Sequence, residues 1–178
     1  MRTALSAVSC FRSALLSRTS CISTMKESDK LGPPSLKIEG FALWVHGRQF
    51  PESQDFYDGN WLNVTAHCGA TGAGVWVQGA FLMVTDLQRW VDQCETLYQS
   101  LKGEAVLDSY EPDLRVTINN TDTLGHLRMQ VEITPDHMNQ RHTFEFELDQ
   151  SYLPQLIRNC REIIAAYPIH GKEEKQNP

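Results

Sequence analysis

Between Phe50 and Leu62 the chain sets three carboxylates, Glu52, Asp55 and Asp58, among four aromatics, Phe50, Phe56, Tyr57 and Trp61. Two chemistries are open to such a cluster. A pair of the carboxylates could divide general acid and general base work, with Trp61 or Tyr57 as a platform for a sugar ring. Alternatively, the acids steer a cationic protein to the surface and the aromatics anchor it. A chain of 178 residues offers little wall for a glycosidase cleft, and Asp58-Gly59 is also what a tight turn demands. The expectation is a non-catalytic contact surface for a basic protein, made of Glu52, Asp55, Phe56, Tyr57, Asp58 and Trp61. A small carboxylate-dependent enzyme or ligand-binding domain using the same loop is the alternative. Trp61, close to Phe56 and Tyr57, has equal claims to pinning the loop and to touching a partner.

Other chemistries find no support in the residue spacing. The six histidines, His46, His67, His126, His137, His142 and His170, never fall two apart in a strand or four apart in a helix, the spacings that aim two imidazoles at one metal. His126 and His142 could meet only if their strands form a hairpin. Gly69-Ala70-Thr71-Gly72-Ala73-Gly74 resembles a phosphate cradle but lacks the lysine and opens onto a strand. The five cysteines, Cys10, Cys21, Cys68, Cys94 and Cys160, contain no CxxC pair. They read as reduced thiols, with the last three on apolar faces. No cofactor and no metal are expected.

Charge narrows the partners. The formal charge is −6, yet residues 1–24 hold Arg2, Arg12 and Arg18 and no acid, leaving 13 of the 16 Lys and Arg against all 22 Asp and Glu. Phosphate backbones repel so acidic a body, so direct nucleic-acid binding is not expected. The basic, acid-free start has the composition of an organelle transit peptide; the alternative is that translation begins at Met25. No uninterrupted apolar run is long enough for a membrane span. The protein is expected in the cytoplasm, or in an organelle such as the mitochondrion if the leader directs it there.

These side chains must be positioned by a small set of elements. Residues 1–35 read as a leader and flexible lead-in, 36–168 as one domain, and 169–178 as a loose tail. Strand patterns begin at Leu36 and at Asn60, where Leu62, Val64, Ala66 and Cys68 share one face, and Val75 opens a third after the glycine turn. Leu87, Trp90, Val91, Cys94, Leu97, Tyr98 and Leu101 then recur at helical spacing, with Thr85 and Gln88 as a capping box and Gly103 as the stop. Leu114–Ile118, Leu127–Ile133 and Phe144–Leu148 alternate as half-buried strands. A last helix covers roughly Ser151–Tyr167, with Pro154 in its first turn and Pro168 beyond its end. The order predicts an α+β domain: one antiparallel sheet of about six strands, with two amphipathic helices packed on one face. The other face, lined by Arg115, Thr117, Arg128, Gln130, Glu132, Glu145 and Glu147, is left to water or a partner.

The acidic-aromatic loop ending Asp58-Gly59-Asn60-Trp61-Leu62, with a strand before and after it, resembles the WapI-family immunity proteins. So does the segment Tyr110-Glu111-Pro112-Asp113-Leu114 leading into a strand. The resemblance runs from about Leu36 to Pro168. It implies a small acidic protein that binds the C-terminal domain of a polymorphic toxin, often a nuclease, and blocks it. The transit-like leader departs from what such bacterial proteins need.

Overall fold

The structure, a computed structural model, describes residues 31–122 and 124–172. The expected leader, with Cys10 and Cys21, lies outside the described residues, and so does the tail beyond Lys172.

Strands β1 (Leu36–Ile38), β2 (Phe41–Arg48), β3 (Trp61–Ala70) and β4 (Ala73–Met83) come first, followed by helix α1 (Val84–Ser100). Strands β5 (Glu104–Asp108), β6 (Leu114–Asn120), β7 (His126–Ile133) and β8 (His142–Asp149) lead to helix α2 (Leu153–Ala166). The fold is α+β as expected, but the strands do not make one sheet of about six. They divide into two four-stranded antiparallel sheets, each a meander in chain order. Hairpin pairing is local, and α1 separates β4 from β5, so each group of strands pairs only within itself. Two strands were hidden in the sequence. The run from Leu36 is broken by a turn at Glu39-Gly40 that folds β1 back on β2, pairing Ile38 with Phe41. β5 is too short to show a period. It is held by β6 and by the Gln93 side chain of α1, which accepts the Val106 N–H at 2.7 Å.

Gly40 is required at that first turn. A Cβ there would stand 2.0 Å from the Gly69 carbonyl oxygen and 2.7 Å from the Phe146 ring. The hairpin end therefore sits directly against β3 and β8.

Period-two patterning decides what the strands bury. On β3, Leu62, Val64, Ala66 and Cys68 are wholly buried; on β6 and β7 the same holds for Val116, Ile118, Met129, Val131 and Ile133. The helices pack along each other, α1 also resting on β5 and α2 on β1. They thus reach both sheets instead of lying on one face of a single sheet, and one apolar cluster joins both sheets and both helices. Trp90, fully buried, is its largest member.

The start of α1 also differs from expectation. Asp86, not Thr85, does the capping: its carboxylate accepts the Met83 N–H at 3.0 Å while almost fully buried. At the other end the chain turns at Leu101, which donates to Leu97 O at 2.9 Å. Tyr98, expected in the core, is exposed at 40%. The Asp149 side chain caps the turn into α2 by accepting from Ser151 N at 2.7 Å.

The outer face of the second sheet is the wet one foreseen, with Arg115 paired to Asp108 at 3.1 Å. The outer face of the first sheet is aromatic: Trp44 stacks on Trp76 with centroids 5.5 Å apart, and His67 lies 4.2 Å from Trp76.

Candidate functional site

The acidic-aromatic loop joins β2 to β3, and its shape follows from a few polar groups. Asp55 organises the centre. Its carboxylate accepts from Tyr57 N at 2.8 Å and Asp58 N at 3.1 Å, and its carbonyl accepts from Gly59 N at 2.9 Å. This Asx turn starts a 3-10 turn, Asp58–Asn60. At the base, Gln49 N–H bonds Trp61 O at 2.9 Å and continues the ladder by one rung.

Underneath the loop, Asn60 is wholly buried. Its amide nitrogen donates to Phe56 O at 2.6 Å and to His170 O at 2.9 Å, while its oxygen accepts from His170 N at 2.9 Å. The His170 ring closes the circuit, with Nδ1 donating to Ser53 O at 2.9 Å. Because a carbonyl can only accept, Nδ1 is the protonated nitrogen. Arg48, the last residue of β2, forks its guanidinium between Gly59 O and Pro168 O. The segment just after α2 thus works as a strap under the loop. The start of the expected tail, as far as Gly171, belongs to this strap.

Gly59 has a second reason beyond the turn. A Cβ there would lie 2.7 Å from Ser53 O and 3.1 Å from His170 Nδ1, so a larger residue would push the strap off.

The six expected contact residues divide by position. Glu52, Asp55, Tyr57 and Asp58 are exposed, Tyr57 at 51%, while Phe56 and Trp61 are half-buried. Phe56 meets Tyr57 edge-to-face at 5.3 Å. An open depression of about 360 Å³ lies beside them, lined by Gln54, Asp55, Phe56, Tyr57, Gly171 and Lys172. Trp61 makes its own edge-to-face contact, 5.5 Å from Tyr110, which is 74% exposed. Tyr110 and the neighbouring Glu111 extend the acidic-aromatic surface. Tyr110's place beside Trp61 gave no local signal, because Trp61 opens β3 while Tyr110 lies in the turn between β5 and β6 of the other sheet.

Two bulges flank β3 at the loop end. The register slips between Val45 and Gly47 on the β2 side and between Leu62 and Val64 on the β4 side. Bulges sharpen twist and re-aim side chains, and here they bend the strands on either side of the residues that follow Trp61.

Elsewhere the chemistry is quiet. Among the described residues no three His, Cys, Asp or Glu side chains gather as a metal site. β7 and β8 do form a hairpin, but His126 pairs with Asp149 and His142 with Ile133, so the two histidines stand at opposite ends of it. The stretch from Gly69 to Gly74 is the β3–β4 hairpin. Cys68, Cys94 and Cys160 are buried free thiols. Burial pushes Cys68 and Cys94 up to about 12 and raises Cys160 as well.

No curated protein and no solved structure matches this chain. A family model does, described as the immunity protein WapI-like family, over residues 35–168. That span takes in both sheets, both helices, the whole loop and the Arg48 and Pro168 ends of its clamp. With most of its length matched, including the loop and the Tyr110 segment that meet at Trp61, the chain belongs to the immunity protein WapI-like family.

Proposed function

We propose that the protein neutralises a toxin by binding it through the loop from Phe50 to Trp61 and covering its working surface. It performs no chemistry of its own. One observation carries this reading: the loop that exposes Tyr57 together with Glu52, Asp55 and Asp58 is fastened from below by Asn60, Arg48 and His170. A loop fixed in advance loses little entropy on binding, which is how a small surface reaches useful affinity. Trp61, Tyr110 and Glu111 continue the contact area.

The partner is inferred to be the basic C-terminal domain of a toxin, nuclease-like in character. A nuclease must hold phosphates with cationic side chains, and an acidic protein competes for that surface as a nucleic acid would. The encounter takes place in the cytoplasm, before the toxin reaches its target.

The test is capture of the full chain from its source cell at low salt, followed by co-expression of the recovered partner with and without it. The reading expects a basic toxin domain, released by salt, whose toxicity the chain suppresses. Charge must be varied with care, since the Asp55 carboxylate also shapes the loop. Glu52→Lys with Asp58→Lys should slow association and flatten its salt dependence, and Tyr57→Ala should cost roughly 2 kcal/mol or more. Affinity unmoved by all three substitutions would place the binding surface elsewhere. Tight binding of a small molecule beside Tyr57, with no protein recovered, would favour the ligand-binding alternative.

A further inference from the structure

Each sheet has two edges, and an exposed edge strand pairs with other chains unless something blunts it. Three of the four edges here are blunted. β1 has only three residues. The β5 edge is met by α1 through the Gln93–Val106 bond. β8 exposes Glu145, Glu147 and Asp149, which repel a similar strand. Among the described residues, β4 has none of these devices. It runs for eleven residues, inside a stretch from Gly59 to Thr85 that contains no Lys, Arg, Asp, Glu or Pro.

The outward groups on β4 follow from β3. Gly69 N–H bonds Gly40 O at 3.0 Å, so Gly69 faces β2. Hydrogen-bonding direction alternates along an antiparallel strand. Val64, Ala66, Cys68 and Ala70 therefore face β4, where they pair with Gly79, Val77, Val75 and Ala73. That leaves the N–H and C=O of Gly74, Trp76 and Gln78 pointing away from the sheet. Among the described residues these groups meet no partner outside the ladder. Gly74 and Gln78 are exposed and Trp76 is half-buried.

We propose that β4 is a dimerisation edge, on which a second copy pairs antiparallel about a two-fold axis through Trp76. The geometry is self-complementary: Gly74 faces the second copy's Gln78, and Trp76 faces its own counterpart, so the two sheets merge into one of eight strands. Charge selects the same occupant. Acidic copies repel each other over most of their surface, and the one long open edge is the one kept free of charge. A basic toxin, recognised by charge, finds nothing on β4 to prefer. The two-fold axis lies away from the loop: Trp76 pairs with His67, six residues along β3 from Trp61, roughly 20 Å at ~3.3 Å per residue.

Sedimentation equilibrium of the full chain tests the proposal. The wild type should be a dimer that dissociates on dilution. Gln78→Pro removes an outward N–H without touching the β3 ladder and should give a monomer with an unchanged far-UV spectrum. Gln78→Lys sets like charges at the edge and should weaken the dimer by about tenfold or more, the effect shrinking with salt; it decides the matter should Gln78→Pro fail to fold. A wild-type chain that stays monomeric over the whole concentration range overturns the proposal. So does a dimer whose dissociation constant neither substitution moves, or an edge that accepts a strand only from another protein.

Discussion

Replacing Asn60 with alanine should release the strap from the loop between β2 and β3. The wholly buried side chain makes three hydrogen bonds, one to Phe56 and two to His170. At a net value of about 1 kcal/mol each, their loss comes to about 3 kcal/mol. The strap offers a way out, because once freed it can hydrate the His170 N–H and C=O. The cost to global unfolding is therefore about 2 to 3 kcal/mol, near 3 °C of Tm per kcal/mol for a domain of this size. The local signature is sharper. In native-state hydrogen exchange the amides of His170 and Gly59 should lose most of their protection, while that of Val116, in the middle of β6, falls only with global stability. Urea unfolding within about 0.5 kcal/mol of wild type, which is the scale of an ordinary surface substitution, together with full protection at His170, would refute the clamp.

Gly40→Ala sets a methyl group against the Gly69 carbonyl and the Phe146 ring and should cost about 3 kcal/mol or prevent folding, as read by urea titration. Asp86 links stability to pH: burial, the largest influence, raises its carboxyl above 3.8 despite the Met83 bond and Arg89. A raised native value means stability is fullest below the unfolded value and declines as pH climbs through the native one. Relative to Asp86→Asn, which keeps the acceptor, the wild type should lose ground over that interval in urea midpoints measured from acid toward neutral pH. Cys68, Cys94 and Cys160, buried and with raised thiols, should resist alkylation at mild alkaline pH in the native protein and react fully in denaturant, mapped by mass spectrometry.

The sequence was legible where period and position agree. β3, β6, β7 and both helices announce themselves because each buries one face, and Pro154 and Pro168 bracket α2 as expected. It was opaque where an element depends on a remote neighbour. β5 exists because β6 and Gln93 hold it, and the two-sheet division turns on which strands find each other. The loop shows the same limit. Its acids and aromatics are plain in the chain, but Asn60 reads as an ordinary polar residue until His170, 110 positions away, closes on it. Tyr110 likewise gains meaning only beside Trp61. Asp55 stands out in the chain by its charge, but its turn-forming bonds could not be read from composition.

The strap also orders events during synthesis. The loop leaves the ribosome well ahead of Pro168, His170 and Gly171, which lock it; Asn60 precedes His170 by 110 positions. A nascent chain can build its hairpins and pack α1 while the loop from Phe50 to Trp61 still samples many shapes. Only a chain extended past Gly171 holds the loop in one shape.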